Sequence, residues 1–266
     1  MKVELFTNIA PLSKIEMAHQ IGDYNGIIGI NPTLQAIFDI KEKADLFFTT
    51  GVGTFTRASE GSYWDYKGEK QIASNNEPRF DYDPITGELL GLLIEEEREN
   101  LFLNSETLVT QDVTVTAQSY TVSFYGEGSV TFSGDYIGEL EGIGEKELVS
   151  ITFIPTSGTV TCTITGSVKY ANFEAGNFST SWIPTLGTTV IRKVDAAYIS
   201  GSDFSSNYNQ EEGAFYASYH AQKGVPISID NNTLNEMMRL YANLSDSGNT
   251  ELRMLTGGAS QISRGK

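Results

Sequence analysis

Between residues 108 and 175 apolar and polar residues alternate in six short runs, and no other feature of the sequence limits the fold as much. Val113 and Val115 are followed by Tyr120, Val122 and Phe124, then by Val130 and Phe132. Val149, Ile151 and Phe153 come next, then Val160, Cys162 and Ile164, and last Val168 and Tyr170. A period of two sends alternate side chains to opposite faces, so each run predicts a strand with one buried face. Turn sequences separate the runs: Tyr125-Gly126-Glu127-Gly128, Ser133-Gly134-Asp135, Gly142-Ile143-Gly144, Pro155-Thr156-Ser157-Gly158 and Gly166. Short alternating strands with such turns predict a β-sandwich or jelly roll.

Composition agrees with an all-β chain. Twenty-six Gly, thirteen Tyr and fourteen Phe suit frequent turns and pleated, half-buried surfaces. At 266 residues the chain is long enough for one large or two modest domains with their own cores. Eighteen Lys and Arg against 34 Asp and Glu give a net charge of −16. That balance lacks the extended cationic surface that nucleic acid requires, and it disfavours anionic membranes. Met1-Lys2-Val3-Glu4-Leu5 lacks the apolar core of a signal peptide, and no run approaches the ~20 apolar residues of a membrane helix. Synthesis in the cytoplasm without membrane insertion is the expectation. Cys162 is the single cysteine, which excludes an intrachain disulfide. It shares a strand face with Val160 and Ile164 and reads as a small buried apolar side chain.

The rest of the chain divides by pattern. Residues 1–50 read as a docking arm, partly helical, with one helix expected over 11–19 and another from Thr33, where Leu34, Ile37, Phe38 and Ala44 recur. Ile27, Ile28 and Ile30, with Leu34, Ile37 and Phe38, need cover from a partner or from their own domain. Residues 51–104 read as an irregular connector of turns and short strands, with Asn75-Asn76-Glu77-Pro78 and Asp83-Pro84-Ile85-Thr86-Gly87 as turns. The sandwich spans 105–180 and a linker 181–200. In 201–266, strand candidates at 213–219, 227–229, 238–241 and 252–255 are too few to close a second sandwich. The expectation there is a partial sandwich, truncated or completed by another chain, since open edges aggregate.

No catalytic site is expected. Glu95-Glu96-Glu97 and Glu145-Lys146-Glu147 offer paired carboxylates, but successive strand residues face opposite sides, so both read as surface charge. Asp81, Asp83 and Gly87 suggest a calcium loop, yet Ile85 and Leu89 stand where oxygen ligands are needed, which favours a tight turn. His19 and His220 lie far apart, with Cys162 the only thiol, and no Gly-x-Ser-x-Gly elbow is present. Gly51-Val52-Gly53 and Gly126-Glu127-Gly128 lack the Lys of a phosphate loop. Neither metal nor cofactor is expected. Sugar binding is the surviving chemistry, because sugars stack apolar C–H faces on aromatic rings beside polar groups. Tyr63, Trp64, Asp65 and Tyr66 form the densest such group, with Trp182 and Tyr208 as others. Packing in a core is the alternative for each ring.

Several segments in series carry a resemblance. They are Phe55-Thr56-Arg57-Ala58-Ser59, Pro78-Arg79-Phe80-Asp81-Tyr82-Asp83-Pro84, Thr86-Gly87-Glu88, Gly91-Leu92-Leu93-Ile94-Glu95 and Asn100-Leu101-Phe102-Leu103-Asn104-Ser105. Together they resemble the signature of tail-fibre and head-fibre (spike) proteins of tailed bacteriophages, where it precedes a carbohydrate-binding-like jelly roll. The run from Val113 to Gly126, Asn172-Phe173-Glu174-Ala175-Gly176 and Ser181-Trp182-Ile183-Pro184-Thr185 fit the same pattern. The part after Asp203, with Gln210-Glu211-Glu212-Gly213, is similar to the start of a concanavalin-like, laminin-G-type sandwich. The likeness covers residues 52–200, and 201–266 more loosely. It implies a virion protein, a homotrimer whose N-terminal arm docks on a capsid or tail protein and whose β domains meet a host-surface glycan. Two other readings stay open: a free carbohydrate-binding module of a glycan-active protein, and the non-catalytic part of a depolymerase spike.

Overall fold

The computed structural model describes residues 54–198 and 200–202 in full, and outside them only the backbone of the strands. In chain order the strands are β1 (Lys2–Phe6), β2 (Gln35–Ile37), β3 (Thr54–Thr56), β4 (Gly61–Trp64), β5 (Lys70–Ala73), β6 (Phe80–Tyr82), β7 (Leu89–Leu92) and β8 (Arg98–Asn100). There follow β9 (Gln111–Val115), β10 (Tyr120–Gly126), β11 (Ser129–Gly134), β12 (Gly138–Glu141), β13 (Gly144–Phe153), β14 (Gly158–Thr165) and β15 (Lys169–Ala175). The last are β16 (Val190–Arg192), β17 (Ala196–Tyr198), β18 (Ala214–Ser218), β19 (Lys223–Asp230), β20 (Met237–Asn243), β21 (Asn249–Thr256) and β22 (Ala259–Gly265). The chain is all-β and forms two compact units, Thr54–Tyr198 being one and Met1–Gly53 with Ile199–Lys266 the other.

Strands β9 to β15 build the expected sandwich. One sheet has the order β12-β11-β14-β9 and the other β13-β10-β15, antiparallel throughout. The chain passes back and forth between the sheets, and β8 lies beside β15, where Leu101 N–H donates to the Phe173 carbonyl at 2.8 Å. With β8 in that place the strand order is that of a jelly roll. The core is filled from both sheets: Val122, Phe124, Phe153, Ala171 and Phe173 meet Val113, Val115, Val130, Phe132, Val160 and Cys162. All but Ala171 and Phe173 are residues of the alternating runs; in the last run Val168 is buried as expected, but Tyr170 packs on Trp64 and Trp182, and Ala171 and Phe173 fill the core in its place. Burial pushes the Cys162 thiol up to about 12, so it behaves as a core side chain.

Two local features were outside the sequence pattern. β12 has the sequence Gly-Glu-Leu-Glu, and Leu140 is its one apolar residue turned toward the core. One apolar residue defines no period, so the strand leaves no alternation to read. At Tyr125/Gly126 the β10–β13 register shifts. Gly126 has φ 131°, and a Cβ there would lie 2.1 Å from the Ser167 carbonyl oxygen, so only glycine fits this bulge.

β10, the central strand of the three-stranded sheet, is buried on both faces along most of its length. Val122 and Phe124 enter the core, whereas Thr121 and Ser123 are buried on the other side. The layer covering that outer face comes from residues expected to be connector and linker. Trp64 packs on Tyr125 and Tyr170, and the Asn172 amide donates to the Thr180 and Ser181 carbonyls while accepting from Ile183 N–H. The hairpins β4–β5 and β6–β7 belong to this layer, as does the long-range pair β3–β17, while β16 pairs with β8 at the sheet edge. Residues 54–104 and 181–198 are therefore part of one unit with the sandwich.

In the other unit β1 pairs with both β18 and β2, and β19 to β22 form a four-stranded meander. The helix expected from Thr33 is corrected: Gln35–Ile37 is a strand on β1. Its apolar residues satisfy a helical period over too few turns to outweigh cross-strand pairing. The helix expected over 11–19 lies outside the described residues. β18 to β21 fall on the strand candidates of this region, and β22 adds one that was not expected.

Phe173 has no exposed surface and packs edge-on against Phe102, Tyr120 and Phe153. Phe173→Ala is expected to lower the unfolding free energy by about 3–5 kcal/mol in urea titrations of the whole chain. Glu141→Gln, on the solvent face of β12, should change it by less than ~0.5 kcal/mol.

Candidate functional site

The signature segments of the sequence meet in one buried ionic network. Arg57 follows β3, and its guanidinium donates to the carbonyls of Ser59, Glu77, Ala73 and Ser74 and to Asp195 Oδ1. Asp195 Oδ2 accepts from Arg79, which also donates to the Ser62 carbonyl at 3.0 Å and to Ser181 Oγ at 2.7 Å. Glu95 Oε2 lies 2.9 Å from Arg79 and 2.8 Å from Arg192. Ser181 completes the arrangement, donating its N–H and hydroxyl to the two oxygens of Glu95. Arg57, Arg79, Arg192 and Asp195 are all buried. Buried ion pairs hold only where nearly every donor and acceptor is matched; here backbone carbonyls take most of the donors that the carboxylates leave over, and Arg79 Nε and Arg192 Nε are left buried without a partner.

This arrangement corrects the reading of Glu95-Glu96-Glu97 as surface charge. Glu96 and Glu97 are exposed and pair with Arg98 and Lys193, but Glu95 is a hub of the interior. Burial alone would raise its carboxyl; Arg192, Arg79 and the Ser181 donors outweigh that and hold it at about 2. The buried arginines escaped notice because an isolated Arg in a turn-rich segment reads as solvent-facing. Neighbouring signature residues are glue of the same kind. Asn100 uses all four of its hydrogen bonds, donating to Ala171 and Ile183 carbonyls and accepting from Phe102 and Phe173 N–H. Ser105 Oγ accepts from the Trp182 indole at 2.9 Å and from Thr185 N–H.

The sugar-binding candidates separate by exposure. Trp64 and Trp182 are 5% and 6% exposed, and both indole N–H groups are used internally, Trp64 toward the Tyr125 hydroxyl at 3.1 Å. Asp65 accepts from Lys67 N–H, Glu69 N–H and the Gln71 amide, which makes it the cap of the β4–β5 turn. Tyr63 is half-buried. Tyr66 is different: it is 64% exposed, with Tyr82 edge-on at 6.4 Å and Lys67 Nζ 5.4 Å from its ring. Tyr208 lies outside the described residues, as do the docking candidates Ile27, Ile28, Ile30, Leu34 and Phe38; Ile37 is described only as backbone of β2. Asp83 accepts from Ile85 and Thr86 N–H, forming the tight turn expected there.

One constellation was not anticipated. Lys70 on β5 is paired with Trp64 on β4, and its Nζ lies 4.0 Å from the Trp64 ring, 4.8 Å from Tyr125 and 5.8 Å from Tyr170. Tyr170 also packs on Trp182, at 4.8 Å, and holds φ 50°, a conformation that bulky residues rarely adopt. Desolvation is the largest influence on Lys70 and lowers its amine to about 7, although Asp81 and Glu95 pull the other way. Burial pushes the Tyr125 phenol up to about 12 and also raises the Asp81 carboxyl, whose Oδ1 accepts from Trp64 N–H at 2.7 Å. The only sequence signal for this group was the density of aromatics at 63–66.

Asp195→Ala leaves Arg57 and Arg79 buried without their carboxylate, and should cost about 3–5 kcal/mol of stability in denaturant titration. Glu95 has its own pH signature. Its folded value of about 2 lies below the ordinary ~4.3, so its contribution is full above ~4.3 and is lost as pH falls through about 2. Stability measured from pH 5 to pH 2 should decline, and Glu95→Gln should flatten part of that decline.

No protein-family model matches this chain, and neither a curated protein nor a solved structure does.

Proposed function

We propose that the chain is a structural fibre or spike component of a bacteriophage virion, anchored through its N-terminal part and projecting β domains that adhere to glycans on the host surface. The observation that supports this most is the fate of the signature segments. Arg57, Arg79, Glu95, Asn100, Ser105, Ser181 and Trp182 converge on the bonds that fasten one layer to another. A motif set used in this way serves to make a rigid module, as a projecting fibre needs. We assign the chain no catalysis of its own. Adhesion through Tyr66, the one strongly exposed ring of the 63–66 cluster, fits the same reading. A lone aromatic platform binds sugar weakly, so trimerisation supplies the avidity.

Two measurements test this. Mass spectrometry of purified phage particles should find the chain in them, and its absence sinks the fibre reading. Light scattering of the purified protein should give about three times 29.1 kDa; a monomer that still binds sugar tightly points to a free carbohydrate-binding module. Tyr66→Ala should weaken adsorption to host cells several-fold without changing the melting temperature, whereas Trp182→Ala should lower that temperature.

A further inference from the structure

Two triplets in the unit that holds β19 to β22 mirror each other. Met238-Arg239-Leu240 lies on β20 and Leu252-Arg253-Met254 on β21, and antiparallel pairing matches Met238 with Met254, Arg239 with Arg253 and Leu240 with Leu252. On β19, Ile229 continues the row of Met238 and Ile227 the row of Leu240. Alternation therefore puts these apolar residues on one face of the meander and the two arginines on the other. The arginine row reaches both outer strands: Ser228 on β19 pairs with Arg239, and Ser263 on β22 with Arg253. Register thus lines up Ser, Arg, Arg and Ser across all four strands. The acids of that face stand one step along the strands, Asp230 in the row of Met237 and Glu251 in the row of Tyr241. The arginine row itself holds no carboxylate.

We propose that this row binds an oxyanion, and that its ligand is the carboxylate or phosphate group of an acidic sugar. Like charges directly opposite each other destabilise a sheet, and the Cβ atoms of such a pair stand about 4.5–5.5 Å apart. An anion shared by the two arginines turns their repulsion into attraction. A guanidinium offers five N–H donors in a planar fork that matches carboxylate and phosphate oxygens, and two forks at that spacing suit one such group. The serines add hydroxyl donors one strand further out on each side, about 4.7–4.9 Å away. In a chain with 34 acidic and 18 basic residues, this row is where charge complementarity selects a negative ligand. The sugar as carrier rests on the adhesion reading above; the anion site rests on the register.

The test uses the full chain in about 0.15 M sodium chloride, where a Debye length of about 8 Å screens its remaining negative charge. Calorimetric titration with glucuronate, inorganic phosphate and glucose should show glucuronate and phosphate binding more tightly than glucose. Arg239→Gln or Arg253→Gln should each weaken glucuronate about tenfold, the size of a lost charge-assisted hydrogen bond. Arg264→Gln should leave it unchanged, because Arg264 pairs with Leu252 and so belongs to the opposite face. Glucuronate bound no more tightly than glucose overturns the proposal. So does unaltered binding when Arg239→Gln and Arg253→Gln are combined, which would mean that the arginines serve Asp230 and Glu251 instead. Phosphate bound without glucuronate overturns it too, in favour of a free-anion site. If the variants fail to fold, the wild-type chain still decides: glucuronate should raise its melting temperature and glucose should not. The fibre reading fails separately, by absence of the chain from particles.

Discussion

The Asp195 carboxylate holds the ends of its unit together. It comes from the last residues before β17, yet it engages Arg57 from just after β3 and Arg79 from the start of β6, and its N–H donates to the Glu95 carbonyl. Three distant stretches of chain are therefore fixed by one side chain and its peptide. Glu95 repeats the device one step further in, linking Arg79 to Arg192 and to Ser181. The two carboxylates and three guanidiniums convert short hairpins, which would be marginal alone, into a layer clamped on the sandwich. The layer in turn hides the polar outer face of β10 and β15, so the sandwich core and the ionic network depend on each other.

That interdependence explains what was legible in the sequence. The sandwich was readable because β9, β11 and β14 each bury alternate residues, and Val113, Val130 and Val160 announce one face apiece. β12 escaped because Leu140 is alone between two glutamates. The covering layer was not readable as a fold, since β3 to β8 are only three or four residues long and their partners are set by ion pairs up to 138 residues away in the chain. Periodicity cannot report a contact whose cause is a charge matched at long range.

The candidate site divides along the same line. Tyr66 could be found from local aromatic density, because exposure at a hairpin turn is a local property. The burial of Trp64 and Trp182 could not, since it depends on Tyr170 and Ser105 arriving from the sandwich. Lys70 was invisible for a related reason: its unusual surroundings are three rings drawn from β4, β10 and β15. The signature segments did locate the important residues, but as adhesive of the interior rather than as a contact surface.

The pairing of β3 with β17 has a mechanical consequence. Thr54 faces Tyr198 across that ladder, so the chain enters and leaves the unit at neighbouring points. Tension applied along the backbone meets a three-residue zipper that opens one rung at a time, and the force is diverted around the sandwich rather than through it. Once the zipper opens, the next resistance is the Asp195 clamp on Arg57, a short-range electrostatic latch that can close again when the pull is released.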